Sequence, residues 1–175
     1  MTDSVLLDLS KPYVLIIMGV SGCGKSTIAN LLSQLLSIEL VEADDFHSLE
    51  AKTQMAKGIP LTDEMREPWI QGLVEHLSKN KQSSKVMAYS GLRRQHRARF
   101  RHLGLPCLFI HLIAQPKELA SRLERRQNHF MPSSLIASQF AALEETSAES
   151  DVVEIDSTQS PQKIILEIYN LLGLR

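Results

Sequence analysis

Short, unbroken apolar runs separated by stretches of helical spacing give the chain its clearest pattern. Residues 13–18 (Tyr-Val-Leu-Ile-Ile-Met) are apolar throughout, rich in β-branched members, and closed by Gly19. A run without alternation predicts a strand covered on both faces, as in a parallel sheet. Over 26–36, Ile28, Leu31, Leu32, Leu35 and Leu36 recur at helical spacing and predict a helix with one apolar stripe. Residues 38–41 predict a second strand, and 86–89, 107–113 and 152–155 predict further ones. Helices are expected between them: from about 92 to 103, from Pro116 to about 127, and from Ser133 onward. A last helix, capped by Ser160 and opened by Pro161, is expected to stop before Gly173. Pro68 is expected to open another, with Trp69, Leu73, Val74 and Leu77 as its apolar face. Strands alternating with helices mean βαβ units and an α/β fold around a parallel sheet. The stretch from 44 to 85 is longer than a minimal crossover and predicts a substrate-binding insertion at about 44–80.

Composition narrows the class. A chain of 175 residues is expected to form one domain, 1–175. Nineteen basic against twenty acidic residues leave a formal charge of -1, which argues against a protein that coats nucleic acid. Cys23 and Cys107 form no CxxC pair and no disulfide framework, so the reducing cytoplasm is the expected compartment. The early apolar run is too short to span a bilayer and lacks a basic flank, so neither a membrane partner nor a signal peptide is expected.

Gly19-Val20-Ser21-Gly22-Cys23-Gly24-Lys25-Ser26, followed by Thr27, fits GxxxxGK[ST] between an apolar strand and an amphipathic helix. The glycines let backbone N–H groups turn inward on phosphate oxygens, and the helix start adds a positive field. In this reading Lys25 reaches the β- and γ-phosphates of ATP and the Ser26 hydroxyl ligates Mg²⁺. The plainer alternative is a Gly-rich turn with an incidental Lys-Ser pair.

No guanine-recognition signature is present, and the third strand carries no carboxylate at its end. Asp156 ends the last strand and reads as a terminus near the nucleotide base, with an acidic ligand as the alternative. The acids after the second strand, in Glu42-Ala43-Asp44-Asp45-Phe46-His47, are better placed, because sites in parallel sheets lie beyond the carboxyl ends of the strands. Asp44 there can take a proton from an attacking hydroxyl or hold Mg²⁺ through water. A short chain, a phosphate loop and an acid one strand over point to a small-molecule kinase.

The residues resemble the gluconokinase family of small P-loop kinases from Ile16 to about Asp156. The resemblance rests on Met18 to Ser26, on Ala43-Asp-Asp-Phe-His47, and on Gly58-Ile-Pro-Leu-Thr-Asp-Glu-Met-Arg-Glu-Pro-Trp69. It continues through Ser90-Gly-Leu-Arg93, Arg122 to Phe130, and Ser138-Gln-Phe-Ala-Ala-Leu-Glu144. The chain departs from the family's usual residues at Ala43 (Gly), Gly91 (Ala), Arg93 (Lys), His96 (Tyr) and Asn128 (Gly), and at Glu145-Thr146, where a Pro is common. The resemblance implies a five-stranded sheet in the order 2-3-1-4-5, a lid at about 122–140, and a homodimer. It implies transfer of the ATP γ-phosphoryl group to the 6-hydroxyl of D-gluconate.

Under that resemblance Lys25, Asp44 and Arg126 are the catalytic candidates, and Arg122 joins 19–27 in binding nucleotide. Asp44, His47, Arg66, Arg93, Arg97 and His129 are expected on the substrate. Read from the residues alone, His47 and Arg66 could equally be structural, and Arg122, Arg125 and Arg126 could simply complement a helix dipole. Arg94, Arg99 and Arg101 read as a solvated face. Rival readings are a kinase of another small hydroxy acid, such as shikimate, and an ATP-binding RNA-binding module using the basic run.

Overall fold

A computed structural model describes residues 7–124 and 134–174. Five strands form one sheet: β1 (Val14–Met18), β2 (Glu39–Glu42), β3 (Lys85–Ala88), β4 (Cys107–Ile113) and β5 (Val152–Asp156). All pairings are parallel and the order is β2-β3-β1-β4-β5, as the resemblance implies. The helices are α1 (Lys25–Leu36), α2 (Leu49–Ala56), α3 (Asp63–Lys79), α4 (Arg94–Arg101), α5 (Pro116–Glu124), α6 (Leu135–Ala142) and α7 (Pro161–Leu171). Among the described residues no helix is long and apolar enough to cross a membrane.

The unbroken apolar run of β1 serves two cores at once. Leu15 and Ile17 face Ile28 and Leu32 of α1 and Ile164 and Ile168 of α7. Val14, Ile16 and Met18 face the other way, onto Trp69, Ile70 and Leu73 of α3 and Phe100 of α4. Successive strand residues point to opposite faces, so a strand covered on both sides has no polar alternation to show. Its two neighbours, β3 and β4, register Met87 and Phe109 against Ile16. The chain leaves β1 toward one edge of the sheet and leaves β3 toward the other. The loops after these central strands therefore diverge, and a crevice opens at the strands' carboxyl ends.

Helix α3 starts earlier than the proline predicts. Thr62 caps it, its hydroxyl accepting the Met65 N–H at 3.3 Å, and Asp63 and Glu64 sit in the first turn where the helix field favours acids. Pro68 falls at the sixth position and forgoes one backbone bond, to the Glu64 carbonyl. This moves Arg66 from ahead of the helix into its first turns.

The basic run around α4 is not an open face. Arg97 is fully buried: its Nη1 donates to the Gly91 carbonyl at 2.6 Å and its Nε to Glu149 at 3.2 Å, with Nη2 on the other Glu149 oxygen. Arg101 also holds Glu149, donates to Asp151 at 2.6 and 2.8 Å, and lies over the Phe109 ring. Arg99 is tied to Glu67 and Gln71. The helix thus fastens the turn before β5 to the loop after β3. Burial works to raise the Glu149 pKa, but hydrogen bonds and charge from Arg97 and Arg101 outweigh it and hold the carboxyl at about 2. The folded-state value lies below the ordinary 4.5, so this stabilisation is full above that pH and fades as pH falls toward 2. Arg97→Met takes one buried guanidinium from Glu149, which keeps Arg101, and leaves the Gly91 carbonyl without its donor; it is expected to cost about 1–3 kcal/mol, read as a lowered melting temperature at neutral pH. A melt within a degree of the parent would show that the pair contributes nothing.

Candidate active site

The loop of residues 19–24 runs from the end of β1 into α1. Gly19 has φ +140°, and a Cβ there would meet Cys23 Sγ and the Leu112 carbonyl, both at 2.8 Å, so only glycine fits. No side chain caps the start of α1. Its first N–H groups and its positive field are therefore left for a ligand, the arrangement that grips a phosphate. Three polar groups of the loop and the helix start already have a protein partner. Lys25 Nζ donates to the Val20 carbonyl at 3.1 Å. The Ser21 N–H donates to Gln139 Oε1 of α6 at 2.6 Å. The Ser26 hydroxyl donates to Glu42 Oε2, at the end of β2, at 3.0 Å.

A cavity opens beside this loop, and Ser21, Lys25, Asp44, His47, Arg66 and Trp69 face it. Asp44 stands on a short 3-10 turn (Ala43–Phe46) that continues β2, which brings its carboxylate to the mouth of the crevice. Trp69 fixes that turn: its Nε1–H donates to the Ala43 carbonyl at 2.6 Å. Trp69 is buried, as its helix pattern predicts, yet its ring also walls the cavity and stacks on His47 at 4.0 Å between centroids. His47 Nε2 lies 3.8 Å from Asp44 Oδ1, and buried Nδ1 has no hydrogen-bond partner among the described residues. Burial lowers the His47 pKa against the pull of Asp44, so the imidazole is neutral at pH 7 and can donate or accept toward a hydroxyl.

The structure brings most of the predicted groups together. The phosphate loop, Asp44, His47 and Arg66 share the cavity, and Arg93 lines a neighbouring chamber that shares Arg66, Trp69, Ser90 and Leu92 with it. Arg122 sits apart from these, donating to the Ser157 carbonyl at 3.0 Å beyond the end of β5. Arg97 does not face the cavity. Arg93 and Arg97 are four apart, but Arg93 is the extended N-cap of α4 (φ -105°, ψ 137°), so the helical angle between them does not hold. Arg97 points instead into the Glu149 pair and holds the Gly91 turn from behind. Gly91 itself has φ +61°, and a Cβ there would lie 3.1 Å from Met18 Cβ, so the family's usual alanine would be strained in this chain. Arg126 and His129, with the middle of the expected lid, lie outside the described residues.

Three residues without an assigned role in the sequence reading also belong to the site. Glu42 faces Ser26, and burial raises its pKa, with Asp44 and Asp45 adding to the rise. Gln139 reaches the loop from 118 positions away in sequence. Asp63 touches two arginines of the cavity. Glu42 was visible as a strand-end acid, whereas a contact like that of Gln139 has no local signal. The motif containing Gln139 also supplies Glu144, whose carboxylate accepts the Arg94 N–H and caps α4 from outside. Thr146, where the family commonly has Pro, accepts from His111 beneath the loop and donates to Glu154.

Comparison with known proteins identifies the chain's relatives. A family model described as an AAA domain matches residues 15–154. The gluconokinase of Gluconobacter oxydans is 36% identical over 160 residues, covering 90% of each chain. That of Arabidopsis thaliana is 36% identical over 175 residues, covering 91% of this chain and 92% of the relative. Among solved structures, a gluconokinase from Sinorhizobium meliloti superposes with a TM-score of 0.83 at 33% identity, over 93% of this chain and 92% of the other. A sugar kinase from a Janibacter species gives 0.86 at 35% identity, over 93% and 95%. A shikimate kinase from Aquifex aeolicus, at 16% identity and a TM-score of 0.66, shares the fold. With its phosphate loop, its strand-two acid and relatives matched along nine-tenths of its length, the chain belongs to the gluconokinase family of P-loop kinases.

Proposed function

We propose that the chain phosphorylates D-gluconate at its 6-hydroxyl, with ATP as donor and ADP and 6-phosphogluconate as products. The observation that carries this reading is that Lys25 and Asp44 face one cavity, with Arg66 and His47 beside them. Asp44 accepts the proton of the 6-hydroxyl as that oxygen bonds the γ-phosphorus. The bond from the γ-phosphorus to the bridging oxygen breaks, and ADP leaves with its charge against Lys25 and the loop amides. His47, neutral and fixed on Trp69, orients a substrate hydroxyl.

The Ser26 hydroxyl and the Glu42 carboxylate, 3.0 Å apart, form an all-oxygen donor set that suits a hard cation such as Mg²⁺. When bound, Mg²⁺ would neutralise phosphate charge; Ser26 would hold it and Glu42 would orient its water. The same reading carries the family's homodimer and a cytoplasmic place of work, with no nucleic acid or membrane in the reaction. It treats 1–175 as one domain, with the acceptor insertion at about 44–80 and a lid at about 122–140 that brings Arg122, Arg126 and His129 to the reactants.

ADP release measured over a panel of D-gluconate, shikimate and nucleoside monophosphates tests the reading. Gluconate is expected to give the highest kcat/KM, with the phosphate on its primary carbon by phosphorus NMR. A higher value for shikimate or a nucleotide would overturn it.

A further inference from the structure

Arg66 and Trp69 wall the acceptor cavity. Those two residues, with Ser90 and Leu92, also wall a smaller neighbouring chamber that Arg93, His96 and Tyr89 line on its other sides. The chamber measures about 20 Å³, room for a group little larger than one water. Arg66 and Arg93 come from different elements, the first turns of α3 and the loop after β3, yet one oxygen joins them. Asp63 Oδ1 accepts from Arg66 Nη1 at 3.0 Å and lies 3.5 Å from Arg93 Nε. That Nε is buried and makes no hydrogen bond among the described residues. His96 is buried on the same wall. Burial lowers its pKa, with Arg66 and Arg93 assisting and Asp63 and Glu67 opposing, so the ring adds no charge at pH 7. Glu67 is engaged with Arg99. Two guanidiniums and one carboxylate leave a single positive charge around a space that fits one small anionic group.

We propose that this chamber is the carboxylate subsite of the acceptor cavity, and that Asp63 is the positioning residue that holds Arg66 and Arg93 in it. The ligand class is the terminal carboxylate of a polyhydroxy monoacid. The proposal rests on the gluconokinase reading and names which end of the substrate goes where. The hydroxyl to be phosphorylated lies at the Asp44 and Lys25 end, and the carboxylate lies beyond Arg66. An open-chain sugar acid carries its primary hydroxyl and its carboxylate at opposite ends, so the cavity reads both. A carboxylate oxygen in the chamber gives Arg93 Nε the acceptor it lacks, and charge-assisted pairing with guanidinium is the strong form of that bond. A neutral polyol leaves the donor unpaired, which is where discrimination arises.

The experiment compares the full-length protein with Asp63→Asn, Asp63→Glu and Arg93→Met, using D-gluconate and D-glucitol, which keeps the hydroxyls and lacks the carboxylate. Asp63→Asn is expected to raise the gluconate KM roughly tenfold while leaving kcat and the ATP KM within about threefold. Arg93→Met is expected to raise it by about thirtyfold or more, and Asp63→Glu to recover part of the loss. The preference for gluconate over glucitol should shrink by the same factors. If both acceptors lose kcat alike, the arginines serve the transferred phosphoryl group and the proposal is wrong; an unchanged gluconate KM overturns it equally. Should Asp63→Asn give no cooperative melt, the half-exposed Arg93 variant decides alone. A parent enzyme with no gluconate turnover would instead defeat the functional reading, a separate result.

Discussion

Lys25→Met is expected to lower kcat roughly a thousandfold or more, about 4 kcal/mol of transition-state stabilisation, and to leave the melting temperature within about 2 °C of the parent. The expectation follows from where the side chain stands. Among the described residues its ammonium makes one hydrogen bond, to the Val20 carbonyl, a half-buried contact that the fold can lose cheaply. Its charge, by contrast, is the one cation that the loop itself presents to a phosphate tail. Methionine keeps the aliphatic stem and removes the charge, so the loss is specific to transfer. Steady-state kinetics with a melting curve on the same preparation checks both halves. Parental kinetics would withdraw the phosphate-loop assignment, and a collapsed melt would show that Lys25 is structural.

Asp44→Asn is expected to reduce kcat by about 10²–10⁴-fold while ATP affinity changes by less than about threefold. Asparagine is nearly isosteric and can still sit 3.8 Å from His47, so the cavity keeps its shape. What it loses is the capacity to take the hydroxyl proton as the new O–P bond forms. Nucleotide binding, read by calorimetry, should not follow the loss, since the nucleotide is held by the neighbouring loop. A variant with parental kcat removes Asp44 from the chemistry.

The parts of this molecule legible in sequence were those written in contiguous residues. The apolar run of β1, the glycine-punctuated loop and the stripe of α1 specify a strand, a cradle and a helix by local chemistry, and the structure places all three where the pattern puts them. The start of α3 was legible in principle, since Thr62 is a good cap, but Pro68 offered a competing signal and a helix can absorb one missing bond at its sixth position. Arg97 illustrates a deeper limit. Spacing assigns a residue to a face, whereas partner and depth come from elements far away in sequence, here Glu149 at 52 positions' distance. Its charge marked it for a phosphate or a substrate, and a buried counter-charge claimed it instead. Asp63 and Gln139 were invisible for the same reason: their meaning lies in contacts that exist only once the chain has folded.

The bond from the Ser21 amide to Gln139 has a consequence for how the two substrates meet. A phosphate oxygen that takes this amide must evict a glutamine carried by α6, and Leu135 and Ser138 of that helix wall the cavity on the acceptor side. The donor and acceptor sites are thereby linked through one helix as well as through the contact of the reacting groups. Thermodynamic reciprocity then requires that whatever factor the sugar acid imposes on nucleotide affinity, the nucleotide returns in equal measure.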